Sequence, residues 1–153
     1  MSYILLTWFG SGLLPKAPGT WGSLAALPFA WAILFWGNPG VLSISTILIF
    51  VLGCLLCIQH VKASSDKDPK YVVIDEVAGQ WMPLVLAGVD WRLWLVSFVT
   101  FRFFDILKPW PISWIDQRLH GTPSRDGIAI MLDDILAGAF ACACVWGVKE
   151  FLF

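Results

Sequence analysis

Charged side chains are scarce in this sequence. They make up 14% of its 153 residues, against about 25% in an average soluble domain, whereas hydrophobic residues reach 58%. From Ala17 to Val61 there is no Asp, Glu, Lys or Arg. This composition, with a mean hydropathy of +0.76 and ten tryptophans, indicates an integral membrane protein rather than a soluble domain. The length indicates one domain, residues 1–153.

Other features are also missing. The net charge of −1 supplies no basic surface, which excludes nucleic acid as a partner. The N-terminus has no basic region before its apolar residues, so no cleavable secretory signal is predicted. No disulfide framework or zinc site is expected, because all four cysteines lie in apolar segments and are interpreted as buried thiols: Cys54, Cys57, Cys142 and Cys144.

The apolar segments predict an all-α fold, an integral membrane helical bundle with about four to five hydrophobic helical segments. They cover residues 22–36, 41–61, 77–89, 93–104 and 128–148. The second reaches the roughly 20 residues that cross a bilayer, while the third and fourth are under fifteen residues and too short for independent full spans. The Gly/Pro/Ser-rich stretch 1–23 is expected to open the first helix, with Thr20 or Ser23 as its N-cap.

The loops predict the orientation. The connection at 61–71 carries Lys62, Lys67 and Lys70, and by the positive-inside rule it is expected on the cytoplasmic side. Because two spans precede this loop, the N-terminus with Lys16 is expected there as well. The polar stretch 112–126 contains the basic residues Arg118, His120 and Arg125, which give it the same predicted side.

The charges inside the apolar chain occur in four short groups, each at a segment end on the predicted cytoplasmic side. A carboxylate at the bilayer centre costs about 2.5–3.5 kcal/mol, so the groups are interpreted as functional and are expected to converge in one interfacial pocket. They are Lys16, the pair Asp75 and Glu76, the group Arg102, Asp105 and Lys108, and the pair Asp133 and Asp134.

Five carboxylates with no comparably placed cysteine or histidine favour magnesium, manganese or calcium as the bound ion. Gly79 and Gly138 follow the acids Asp75 and Asp134 by four residues, which would let two helices approach and share the ion. Arg102 and Lys108 are suited to hold a phosphate, and the hydroxyl-rich helix start near Lys16 is a further anion site. Together these features predict phosphoryl chemistry on a lipid headgroup.

Other interpretations of the same residues stay open. Each acidic pair could compensate a helix dipole, and Arg102 or Lys108 could form a structural ion pair with Asp105. His60 and His120 are interpreted as interfacial and surface residues. A small transporter with an acidic ion or proton path is the alternative function, although it would need carboxylates along the bilayer depth. A structural membrane subunit would explain the hydrophobicity but not the clustered charges.

Four motifs resemble those of the phosphatidylglycerophosphatase A family: residues 18–23, 75–79, 101–112 and 131–138. The most specific is Phe-Arg-x-x-Asp-x-x-Lys-Pro-x-Pro-Ile. The resemblance implies a Mg²⁺-dependent phosphatase of the bacterial cytoplasmic (inner) membrane, with several helical spans and its active site on the cytoplasmic side. Its reaction would convert the lipid phosphatidylglycerophosphate into phosphatidylglycerol and phosphate.

Carried onto matching positions, the resemblance makes five acids candidate metal ligands or catalytic acids: Asp75, Glu76, Asp105, Asp133 and Asp134. It makes four residues candidate phosphate contacts: Arg102, Lys108, Thr20 and Ser23. Metal-activated water is the favoured nucleophile, with Asp105 as base or ligand, and an aspartyl-phosphate on Asp105 is the alternative. The chain departs from the family at residues 121–129, where a longer loop is expected. Nothing in the sequence predicts an oligomeric state.

Overall fold

Helices form the fold wherever the structure describes the chain. The protein is represented by a computed structural model that describes residues 2–64, 69–119 and 121–152, with the backbone alone at 115–118 and 152. There is no strand within those residues, so the all-α prediction is confirmed. The helices are α1 Ser2–Leu6, α2 Pro18–Trp36, α3 Pro39–Ala63, α4 Ile74–Ala87, α5 Trp91–Leu107, α6 Ile112–Leu119 and α7 Pro123–Leu152, with a 3-10 turn at Ser11–Leu13.

Three helices are long and apolar enough to cross a membrane: α2 with 19 residues, α3 with 25, and α7 over Pro123–Phe151. Helix α3 exposes Ile44, Ile47 and Leu48 by more than 60% each on its outer surface, where lipid would meet them. Helix α4 has 14 residues and is too short to span alone, as predicted. Helix α5 has 17 residues and is longer than predicted.

Helix α4 lies at the centre of the bundle and contacts α2, α3, α5 and α7. Its Trp81 is 3% exposed, and the indole N–H donates to the carbonyl of Ala26 on α2 at 3.0 Å. Helices α2, α4 and α7 run in one direction, whereas α3 and α5 run in the other. We call the end where α2 and α4 begin and α3 and α5 end the charged end, and the end where α4 meets α5 the far end.

Helix α7 begins earlier than the sequence predicts. The expected loop at 121–129 is wrong, because α7 starts at Pro123, a residue whose fixed φ suits the first helical position. Thr122 accepts a hydrogen bond from the N–H of Arg125 at 3.4 Å, and Asp126 accepts one from the N–H of Gly121 at 2.9 Å. The stretch 121–124, Gly-Thr-Pro-Ser, has a composition typical of a loop, but in the structure it leads into α7.

The start of α2 also differs from the prediction. The helix begins at Pro18, preceded by Ala17 with a φ of 54°, so Thr20 and Ser23 lie inside it and neither caps it. The hydroxyl of Ser23 instead donates to the carbonyl of Gly19 at 3.0 Å. The predicted Gly/Pro/Ser-rich stretch before α2 contains α1 and the 3-10 turn.

Candidate active site

Carboxylates from the two acidic pairs meet where α4 begins. Asp75 and Glu76 lie in the first turn of α4, and one oxygen from each lies within 4.8 Å of the other and of an Asp134 oxygen on α7. The two helices approach through glycine: a Cβ on Gly138 would lie 2.5 Å from the carbonyl oxygen of Gly79. The prediction that these glycines allow a close approach is therefore confirmed.

The helix dipole explains only one of the pairs. Asp75 and Glu76 occupy the first turn of α4, where its partial positive charge favours a carboxylate. Asp133 and Asp134 lie well inside α7, which begins at Pro123, and the dipole acts only near a helix end. The alternative that the second pair compensates a helix dipole is thus wrong.

Two cations contact Asp105 and Asp133, the two acids outside the group of three carboxylates. Arg102 Nη1 lies 2.6 Å from Asp105 Oδ2 and 3.9 Å from Glu76 Oε1. Lys108 ends α5 with a φ of 41°, and its ammonium group donates to Asp133 rather than to Asp105. The ion pair considered for Arg102 and Asp105 is present, and Lys108 pairs with Asp133.

Three buried oxygens in the cluster lack a partner among the described residues: Asp75 Oδ1, Glu76 Oε2 and Asp134 Oδ2. Burial raises the pKa of Asp75, and the neighbouring Glu76 raises it further. Burial also raises the pKa of Glu76 to about 8, with Asp105 adding to the effect and Arg102 opposing it. Unpaired buried carboxylates are costly, and a divalent cation between them would supply the missing partner. Three hard oxygen donors with free lone pairs fit Mg²⁺.

These acids line a cavity of about 640 Å³ at the charged end. Its walls come from the start of α2, the segment before α4, the end of α5 and the interior of α7. Such a volume lies within the range of small-molecule sites. Seven of the ten predicted site residues line it: Asp75, Glu76, Arg102, Asp105, Lys108, Asp133 and Asp134.

The three remaining predicted site residues do not line this cavity. Ser23 is buried behind Arg102, whose Nη1 lies 3.5 Å from the serine hydroxyl, so Ser23 would reach a bound group only through the arginine. Thr20 is half-buried in the first turn of α2, and Lys16 is exposed just before that helix. A role for any of the three in phosphate binding stays a prediction.

Eight further residues line the cavity and were not among the predicted site residues, and two of these, Gly19 and Lys70, bear on the chemistry of the site. Gly19 lines the cavity on the α2 side, and Lys70 lines it before α4. The sequence placed Lys70 in a cytoplasmic loop but contained nothing to show that the loop folds toward the acids. Gly19 belongs to one of the four family-like motifs, yet a glycine has no functional group that would mark it as part of a site.

The remaining candidates lie away from the acids. Cys57 is buried and the other three cysteines are half-buried, and none of the four forms a disulfide within the described part of the chain. His60 Nε2 lies 2.9 Å from the hydroxyl of Tyr71, which gives this histidine a local partner. His120 lies outside the described residues, and so does the part of the 61–71 loop that contains Lys67.

Comparison with known proteins points to one family. The model of the phosphatidylglycerophosphatase A family matches residues 4–149. The chain is 39% identical over 145 residues to phosphatidylglycerophosphatase A of Escherichia coli (strain K12), covering 94% of this chain and 81% of the relative. It is 37% identical over 151 residues to the protein of the same name from Haemophilus influenzae, covering 98% and 90%.

A third relative has a different name. The chain is 33% identical over 143 residues, 88% of this chain and 85% of the relative, to a Bacteroides thetaiotaomicron protein provisionally named phosphatidylinositol-3-phosphatase. No solved structure matches the chain.

Proposed function

The chain belongs to the phosphatidylglycerophosphatase A family, and from that premise we propose the following reaction. A Mg²⁺-dependent enzyme hydrolyses the terminal phosphomonoester of phosphatidylglycerophosphate at the cytoplasmic face of a bacterial inner membrane. The observation that supports this best is the cavity at the charged end, where unpartnered buried carboxylates lie beside cations. A membrane-embedded phosphatase needs both kinds of group at the level of the lipid headgroup.

Asp75, Glu76 and Asp134 are the residues that would hold the magnesium ion, because their oxygens converge and one buried oxygen of each lacks a partner among the described residues. Asp133 and Asp105 border the same cavity and are the further candidate ligands. Bound magnesium would neutralise charge on the phosphoryl group and lower the pKa of a bound water. The protein supplies the remaining positioning and charge.

The substrate phosphate would lie among the cations of the cavity. Lys108 and Arg102 are fixed by their acids and face the cavity, and Lys70 adds a third positive charge at its wall. The start of α2 borders the same space, where the positive end of the helix dipole favours an anion. Ser23 supports this arrangement through its contact with Arg102.

In the reaction, a water oxygen attacks the phosphorus atom while the bond between phosphorus and the glycerol oxygen breaks. Asp105 takes a proton from the attacking water, and the leaving glycerol oxygen takes up a proton from Asp105 or from solvent water and so ends as the hydroxyl of phosphatidylglycerol. Arg102 holds one Asp105 oxygen at 2.6 Å, which fixes the carboxylate and leaves its other oxygen for the proton. Because one oxygen is engaged, attack by Asp105 itself on phosphorus is the less favoured route.

The cytoplasmic side is proposed from the distribution of basic residues. Lys16, Lys62, Lys70 and Lys108 lie at or near helix ends on the charged end, whereas the far end has Arg92 and Lys149. Single cysteines in place of Lys62 and of Trp91, both exposed and at opposite ends, would be tested with a membrane-impermeant maleimide on intact cells. Labelling at position 91 but not 62 supports the orientation, and the reverse result overturns it.

The reaction is tested by phosphate release from phosphatidylglycerophosphate in detergent, with Mg²⁺ and with excess chelator. Magnesium-dependent release that is lost in Asp134→Asn supports the proposal. Absence of release under both conditions, from folded protein, overturns it. Phosphatidylinositol 3-phosphate belongs in the same assay, because one relative carries that activity in its provisional name. Faster release from that lipid would reassign the headgroup.

The ion-path alternative has less support. Between the acid cluster and the Asp90 turn, the long helices contain no Asp or Glu at all. A path through the bilayer needs ionisable groups along its depth, because each unpaired ion in hydrocarbon is costly. Uptake of labelled ions into proteoliposomes, at a rate above that of empty vesicles, would favour the alternative.

A further inference from the structure

The start of α2 touches the acid cluster through a residue that has no side chain. A Cβ atom built on Gly19 would lie 1.9 Å from Glu76 Oε1, 2.9 Å from its Cδ and 3.2 Å from Arg102 Nη1. Contacts below 3.0 Å are essentially never found for a real Cβ, so any other residue at position 19 would displace the carboxylate. The Glu76 carboxylate thus packs directly on the backbone of α2.

This part of α2 is held from several sides. One turn further along, a Cβ on Gly22 would lie 2.6 Å from the Cβ of Val73, so α2 also packs tightly on the residue before α4. The N–H of Val73 donates to the carbonyl of Leu6 at 2.8 Å, which ties that residue to α1. Ser23 joins the Gly19 carbonyl to Arg102. A side chain at position 19 would therefore move the acid more readily than the helix.

We propose that Gly19 is a positioning residue for the metal-binding acids, an inference that rests on the proposed function. Its bare backbone allows Glu76 to lie within reach of both Asp75 and Asp134 while the carboxylate also faces Arg102. A larger residue pushes Glu76 out of this group and so weakens the site for Mg²⁺. Residues that orient metal ligands typically change metal affinity or activity by about 10–100-fold when they are altered.

The test compares Gly19→Ala with Gly22→Ala, a matched control on the same helix. The three atoms nearest to a Cβ added at Gly22 all belong to Val73, which is not one of the acids. We expect Gly19→Ala to raise the Mg²⁺ concentration for half-maximal activity and to lower kcat, each by about 10–100-fold, with little change in KM for the lipid. Gly22→Ala should lower thermal stability and leave the Mg²⁺ requirement of the folded fraction unchanged. Equal Mg²⁺ requirements in the two variants would overturn the proposal.

A readout without turnover separates this inference from the proposed function. If Mg²⁺ binds the folded protein, it raises the melting temperature of the wild type, and Gly19→Ala should lose most of that rise while Gly22→Ala keeps it. A wild type that releases no phosphate but shows this pattern would refute the reaction and support the positioning role. The same rise in all three proteins would refute the positioning role alone.

A second variant removes the clash from the other side. Glu76→Asp shortens the acid by one methylene, so the effect of Gly19→Ala on Mg²⁺-dependent melting should be smaller in that background than in the wild type. If Gly19→Ala does not fold but the double variant does, the contact with Glu76 is the cause, as proposed. If neither folds, or if the two effects simply add, Gly19 serves packing only and the proposal fails.

Discussion

The two ends of the helical bundle use charge in different ways. At the far end, Asp90 accepts a hydrogen bond from the backbone N–H of Arg92 at 2.9 Å and pairs with its guanidinium at 2.9 Å. Lys149 donates to the carbonyl of Leu86, close to the end of α4. These groups are exposed and complete the ends of helices, which is a sufficient reason for their presence.

The charged end has more ionisable groups than its local structure can use. Asp105 and Asp133 each face a cation, but Asp75 and Asp134 have no ion pair within the described part of the chain. Their unpartnered oxygens are buried. A charge that completes a helix end needs no ligand, whereas a buried charge without a partner indicates one. The comparison therefore predicts that substitutions at the charged end affect turnover, and that those at the far end do not.

The largest effect is expected from the acids themselves. Asp134→Asn or Asp105→Asn should lower phosphate release by at least about 10²–10³-fold, because the variant loses a charge that acts on the metal or on the attacking water. The protein should still insert and fold, since Asp134 Oδ2 has no partner among the described residues and Asp105→Asn keeps an oxygen that can accept from Arg102. Phosphate release and thermal unfolding of the same preparations measure both expectations.

The matched control for these variants is Asp90→Asn at the far end. It makes the same chemical change in an exposed turn and should release phosphate at the wild-type rate. Wild-type rates in Asp134→Asn and Asp105→Asn as well would show that the buried acids serve structure only.

The sequence was sufficient to predict the acids and the helices that hold them. Scarcity of charge made each acidic pair conspicuous, and glycine four residues after Asp75 and Asp134 predicted the contact between Gly79 and Gly138. These features are local, because residues four apart share a helix face. The lengths of the apolar segments predicted the helical class and the short α4, and these lengths are also a local property of the sequence.

The rest of the site depends on contacts between distant segments. The way in which α2 and the segment before α4 pack together brings Glu76 onto Gly19 and Lys70 to the cavity of the acids. No local sequence pattern predicts these contacts. The early start of α7 at Pro123 was missed because the same residues favour both a loop and a helix start. The position of a helix boundary depends on the competition between loop and helix at such residues, and tertiary contacts decide which of the two forms.

A smaller effect is expected where α4 and α7 touch. Gly138→Ala places a Cβ 2.5 Å from the Gly79 carbonyl, and it should lower the free energy of unfolding by about 1–3 kcal/mol, the usual cost of overpacking. Because the two helices carry the acids that we propose to bind the metal, phosphate release should fall as well. Gly147→Ala is the control on the same helix, since nothing lies within 4 Å of its added methyl group. Equal stability and activity in both variants would show that α4 and α7 can move apart at Gly138 without loss of stability or function.

The smallest effect is expected from Asp90→Ala, which removes a charge that only completes a helix. Hydrogen bonds from Arg92 lower the pKa of Asp90 below its ordinary value, so the folded state favours the ionised form. The stabilisation is therefore fully present above the ordinary pKa and is lost as the pH falls through the lower, folded value. At neutral pH the variant should melt slightly below the wild type and release phosphate at the same rate, and the two melting temperatures should converge in acid. A loss of activity at neutral pH, out of proportion to the change in melting, would show that the far end influences the acid site and would remove the distinction between the two ends.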